Sequence, residues 1–248
     1  MALVLTERLT KFLAILFLAA MFSLAFLSMK DDALTFDELA HIPAGYSYLT
    51  KQDYRINPEH PPLAKDLAAL PLLFLNLNFP EQSQNWLQDA GAPPWWVQFD
   101  LGTEFLYQSG NDPQEIIVWS RIPMIFLLLA LGWLLFTWTR SLAGNGPALL
   151  ALFLFSLSPT LLAHGRLVTT DVAAAFGAVL SLLFWVRFLK EPTKKHVLYA
   201  GIAFGVAMLL KFSLILLVPV FVLLTVLYPF LSGFSLRKLT SYVSKAFL

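Results

Sequence analysis

The sequence has no cysteine, which removes a disulfide framework, a thiolate metal site and a cysteine nucleophile in one step. It is also poor in charge. Only 13% of its 248 residues are Asp, Glu, Lys or Arg, where a water-soluble domain carries about a quarter. No basic run is long enough to follow a phosphate backbone, and a net charge of +1 gives no reason to expect a nucleic-acid partner. No internal repeat or low-complexity tract breaks the chain. What it has instead is apolar length: 58% of the residues are hydrophobic and the mean hydropathy is +0.68.

A helix needs about 20 apolar residues to cross a hydrocarbon core about 30 Å thick. Six stretches reach or approach that length, and they predict an all-α integral membrane protein: 12–29, 122–139, 141–165 (with a Gly-Asn-Gly-Pro turn at 144–147 before the helix proper), 172–186, 197–210 and 212–236. The fourth and fifth are short and need flanking Lys and Arg side chains to snorkel. The stretch 1–29 has a basic start in Arg8 and Lys11. It lacks a small-x-small cleavage site before Lys30, and its apolar core is longer than that of a signal peptide, so it reads as a retained anchor.

Positive charge sets the direction of insertion. With the N-terminus inside, the cytoplasmic segments hold Arg8, Lys11, Arg140, Arg187, Lys190, Lys194, Lys195, Arg237, Lys238 and Lys245, against Glu7 and Glu191. Both termini then face the cytoplasm, and most of the acids fall on the other side. One large extracytoplasmic loop, 30–118, separates the first two spans and is far too long for a connector. Its stretch 63–77, opened by Pro61-Pro62, reads as a helix lying in the membrane interface. Trp86, Trp95, Trp96 and Trp119 suit the headgroup level as anchors.

Three polar clusters fall on that same outer face. The first is Asp37-Glu38 with His41, where Asp37 and His41 share a helix face at i, i+4. One of two adjacent carboxylates holds its proton to higher pH and suits a general base; equally, acids favour the first turn of any helix. The second is Arg55-Ile56-Asn57-Pro58-Glu59-His60-Pro61-Pro62, stiffened by its prolines. It reads as a hydrogen-bonded turn or as a platform for a substrate or a divalent metal, with Glu59, His60, Asp37 and His41 together the candidate ligands. The third is His164-Gly165-Arg166 leading to Thr169-Thr170-Asp171. Asp171 either faces a polar partner such as Arg166 or caps a helix. Lys211, between the fifth and sixth spans, either meets a lipid phosphate or snorkels.

These motifs, in this order and on one membrane side, resemble the GT-C glycosyltransferases. More narrowly, they are similar to the branch of protein O-mannosyltransferases and aminoarabinose transferases. The resemblance implies a transferase that moves a sugar from a polyprenyl-phosphate carrier to a hydroxyl of a protein, lipid or glycan, with inversion. It implies catalysis by Asp37, with Glu38 beside it, and substrate binding by Arg55, Glu59, His60, Arg166, Asp171 and Lys211, Lys211 and Arg166 meeting phosphate. A divalent metal at Glu59 would belong to some relatives only, and no other cofactor is implied. The reaction would take place on the extracytoplasmic face of the plasma membrane. Relatives have further spans and often an outer C-terminal domain, so the chain is expected to be a single transmembrane domain, 1–248, corresponding to an N-terminal half. The competing expectation is a membrane protein without catalysis: a lipid-phosphate binder, an assembly subunit or an inactive fragment.

Overall fold

The computed structural model describes residues 6–87 and 94–231, and these are helical with no strand. They fall into two compact units, one through Ala173 and one from Ala174 onward.

In the first unit, helix α1 (Glu7–Met29) starts at Thr6, whose side chain accepts from the Leu9 N–H. A salt bridge of 2.8 Å joins Glu7 and Lys11 one turn apart. Helix α2 (Phe36–Lys51) carries Pro43 in its interior. Proline has no N–H to offer the carbonyl four residues earlier, so the Leu39 carbonyl loses its helical partner. The chain then turns through two left-handed residues, Gln52 and Asn57, with φ of 54° and 59°. It continues into helix α3 (Leu63–Ala69), which tightens into a 3-10 turn at Leu70–Phe74. The predicted stretch 63–77 is therefore helical as far as Phe74. Ala64, Ala68, Ala69 and Leu72 are buried, whereas Phe74 is 90% exposed. Short helices α4 (Gln84–Leu87) and α5 (Val97–Thr103) follow.

Helix α6 (Pro113–Ala143) is longer than the span expected at 122–139, and so takes in the last residues of the expected loop. Asp112 caps it, accepting from the N–H groups of Gln114 and Glu115, with Pro113 at its first position. The stretch 141–165 has a break at its expected Gly-Asn-Gly-Pro turn and a second, unexpected one after Ser156. Gly144 (φ 86°) separates α6 from α7 (Asn145–Ser156). Helix α8 (Pro159–His164) then restarts behind Ser158, because a proline cannot continue the helix before it.

Helix α9 (Asp171–Lys190) crosses into the second unit, which also holds α10 (Lys194–Leu210), a 3-10 turn at Phe212–Leu216 and α11 (Leu217–Leu231). There Gly177 lies against the Ala207 backbone. The Ser181 hydroxyl donates to the Ala203 carbonyl at 3.0 Å, and Trp185 stacks on Phe221 at 4.6 Å. Among the described residues, three helices are long and apolar enough to cross a membrane: Glu7–Met29, Pro113–Ala143 and Asp171–Lys190. The remaining apolar helices are shorter. Arg237, Lys238 and Lys245, which entered the charge count, and the end of the sixth stretch lie outside the described residues, as do residues 1–5 of the predicted anchor.

Candidate functional site

Glu38 organises the first unit from the first turn of α2. Its side chain and that of Arg121 in α6 are both 0% exposed and pair at 2.7 Å. Glu38 Oε1 accepts from Arg121 Nε at 2.8 Å and from the Val168 N–H at 3.0 Å. Oε2 accepts from Arg121 Nη2 at 2.7 Å and from the N–H and hydroxyl of Thr35, both at 2.9 Å. Burial works to raise this carboxyl. The hydrogen bonds and charge of Arg121, helped by the Val168 and Thr35 N–H groups, outweigh it and hold the carboxyl below its ordinary value. Arg121 spends its other donors on the carbonyls of Met29, Asp32 and Ala33 at 3.2, 3.2 and 2.9 Å. One guanidinium thus ties the end of α1, the link to α2 and the α2 N-terminus to the first third of a long apolar helix.

Asp37 takes the opposite course and is exposed to solvent. One turn on, His41 is buried, and its Nδ1 lies 2.9 Å from the Val168 carbonyl. A carbonyl only accepts, so Nδ1 carries the proton. Burial lowers the His41 pKa, and the nearby Lys65 and His60 add to this; the Val168 carbonyl and the charge of Asp37 pull the other way. The ring of His41 meets that of His60 edge-on at 5.5 Å.

The turn bearing His60 is pinned from below by Lys65, which is 1% exposed. Its Nζ donates to the Tyr48 hydroxyl at 2.7 Å, to the backbone and side-chain oxygens of Asn57 at 2.8 Å each, and to the His60 carbonyl at 2.9 Å. Burial pushes its pKa down to about 7 against the charges of Asp66 and Glu59. Burial also raises the Tyr48 phenol. That hydroxyl lies 2.6 Å from the Ile56 carbonyl, which it donates to.

Glu59 is surrounded by donors. Oε1 accepts from Asn57 at 3.0 Å and from Gln98 at 3.2 Å, and Oε2 from the Trp95 indole at 3.1 Å. A metal at Glu59, which the resemblance implies for some relatives only, would have to displace these donors. The Glu59 oxygens are engaged by N–H groups, and among the described residues no group of three His, Asp or Glu side chains is placed to hold an ion. Arg55 pairs with Asp53 at 3.0 Å, donates to the Trp86 carbonyl at 2.7 Å and lies over the Trp86 ring.

The three polar clusters therefore meet: Val168 bonds to Glu38 and His41, and His41 meets His60. Arg166 pairs with Asp32 at 2.5 Å and donates to the Ser28 carbonyl, bracing the end of α1. Asp171 is the exposed first residue of α9. Lys211 caps α10 in the second unit, with its N–H on the Ala207 carbonyl at 3.0 Å. In the sequence Arg121 only borders the apolar stretch 122–139, and Lys65, Tyr48 and Gln98 carry no motif that singles them out. An arginine next to so long an apolar run was the signal available.

A family model described as dolichyl-phosphate-mannose-protein mannosyltransferase matches residues 115–247, just over half of the chain. Arg121, Arg166, Asp171 and Lys211 fall inside that range, and Asp37, Glu38, Arg55, Glu59 and His60 precede it. No curated protein and no solved structure matches the chain.

Proposed function

Because the chain belongs to the dolichyl-phosphate-mannose-protein mannosyltransferase family, of the GT-C glycosyltransferase kind, we propose that it moves a sugar from a polyprenyl-phosphate carrier to a hydroxyl acceptor, with Asp37 as general base. The reaction takes place at the extracytoplasmic face of the plasma membrane. The observation that carries this reading is the contrast between two neighbouring carboxylates. Glu38 is fixed on all sides and holds the first turn of α2 in place. Asp37, on the same turn, is the accessible one.

The step follows from that arrangement. Asp37 takes the proton of the acceptor hydroxyl as its oxygen attacks the anomeric carbon. The bond from that carbon to the carrier phosphate breaks, and the phosphate leaves with the electron pair. Attack in line with the leaving group inverts the anomeric centre. Phosphate is already a good leaving group, so the protein's work is to activate the hydroxyl and stabilise charge. Glu38 acts by positioning. Arg55, Glu59 and His60 contact substrate along the turn, and Asp171 and Lys211 are assigned to the donor on the family resemblance. Arg166 contributes by holding Asp32 and the end of α1.

Membranes containing the chain, supplied with labelled polyprenyl-phosphate sugars, test the reading. Asp37→Asn is expected to lower transfer by about 10²–10⁴-fold, the usual worth of a general base. Full transfer by that variant would remove Asp37 from the mechanism.

A further inference from the structure

A cleft of about 160 Å³ opens beside Glu59, bordered by Arg55, Asn57, Glu59, Trp95 and Gln98. Its floor is held rigidly. Asn57 and Gln98 are buried and bond to each other at 2.5 Å, and Lys65 fixes the other side of Asn57. Among the described residues, the polar groups facing this cleft are not all spent. A carboxylate offers about four lone-pair sites and a primary amide two N–H groups. Glu59 uses three sites, two on Oε1 and one on Oε2, and Gln98 uses one N–H. An acceptor site on Glu59 and a donor on Gln98 are left among the lining residues, the two functions that a hydroxyl group answers, being itself both donor and acceptor.

The aromatic wall supplies the second requirement. Trp95 is 59% exposed, and its indole is held by the bond to Glu59 and by edge-on contact with Phe99 at 4.8 Å. Phe99 in turn stacks at 4.2 Å on Phe36, the residue before Asp37. A fixed flat apolar surface next to a hydroxyl-sized polar pair matches a ring that is apolar on one face and hydroxylated at its rim. The Glu59 carboxylate disfavours an anion here, and the Arg55 charge is taken up by Asp53 and Trp86. We propose that the cleft is a subsite for a neutral pyranose ring, with the C–H face on Trp95 and hydroxyls on Glu59 and Gln98.

This inference rests on the transferase reading, and the ring could belong to the donor or to a glycan acceptor. The test is saturation-transfer NMR on the full chain in detergent, with methyl α-D-mannopyranoside and methyl β-D-glucopyranoside as probes. Binding is expected in the unmodified chain and in Asp37→Asn. In Trp95→Ala it is expected to weaken about tenfold, the worth of one aromatic contact. Trp95 is exposed, so an unchanged unfolding temperature should confirm that this variant folds. Displacement of the bound glycoside by polyprenyl-phosphate mannose would assign the cleft to the donor sugar; retention would assign it to the acceptor. No saturation with either probe, or equal binding by Trp95→Ala, would overturn the subsite, including the case in which Trp95 serves only to anchor in lipid headgroups. Transfer that survives in Asp37→Asn, with glycoside binding intact, would instead remove only the catalytic reading.

Discussion

A carboxylate whose oxygens are all engaged can take a proton from an acceptor only by releasing an internal partner, and Glu38 is in that state. Breaking a buried ion pair from one side leaves the other charge without compensation, which costs about 3–5 kcal/mol. Arg121→Met should therefore lower the unfolding temperature sharply. Glu38→Gln with Arg121→Met should cost less than the two singles together, because they remove one shared interaction. The pH dependence has a definite sign. The Glu38 pKa is lowered by folding, so its contribution is complete above the ordinary value of 4.5 and is lost as pH falls through the lower folded value. Thermal unfolding at stepped acid pH should show this limb in the unmodified chain and a weakened one in Glu38→Gln. At this scale the sequence was legible in part. The pairing of Asp37 with His41 on one face follows from helical spacing alone. The division between Asp37 and Glu38 does not, because it depends on Arg121 arriving from 83 residues away. Likewise nothing in the spacing of the third cluster announces the pairing of Arg166 with Asp32, which depends on the end of α1 arriving beside it.

Helix α2 carries the candidate residues and is held by two backbone approaches that only glycine permits. A Cβ on Gly45 would sit 2.2 Å from the Lys65 carbonyl oxygen of α3. A Cβ on Gly102 of α5 would sit 1.9 Å from the Leu39 carbonyl oxygen, the group that Pro43 leaves without its helical N–H. In both cases the obstacle is backbone, so no rotamer change relieves it. Gly45→Ala and Gly102→Ala should each destabilise by about 1–3 kcal/mol or more. Gly205→Ala, in helix α10 with open space around the new methyl, should be neutral or stabilise by up to about 1 kcal/mol. Equilibrium or thermal unfolding of the three variants distinguishes close approach from ordinary helix propensity. Destabilisation is expected at Gly102 and none at Gly205, and equal effects would refute the packing argument. The apolar runs announced most of the helices, since length and hydropathy are local properties. The interruption after Ser156 was also written locally, in Ser158-Pro159, but a hydropathy count reads through a proline and joined α7 to α8. The 3-10 turn at Leu70–Phe74 and the close contacts of Gly45 and Gly102 follow from neighbours that no spacing rule supplies.

For the whole molecule, three described helices have the length and apolarity to cross a membrane, and the family is one of membrane glycosyltransferases. The direction of insertion rests on charge, and the α9–α10 corner, with Arg187 and Lys190 ending one helix and Lys194 and Lys195 opening the next, weighs most heavily for a cytoplasmic side. The proposed chemistry requires the opposite side for α2 and the 52–62 turn, because a lipid-linked sugar presented outside cannot react with a base held inside. The absence of cysteine makes this testable without background: any thiol introduced singly is the only one in the chain. Gln82 and Lys194 are both exposed and distant from the candidate site residues in sequence. In intact cells, Gln82→Cys should react with a membrane-impermeant maleimide and Lys194→Cys should not. After the membrane is opened, both should react. The reverse pattern would place Asp37 and its neighbours in the cytoplasm, and the transferase would then have to draw its donor from the inner leaflet.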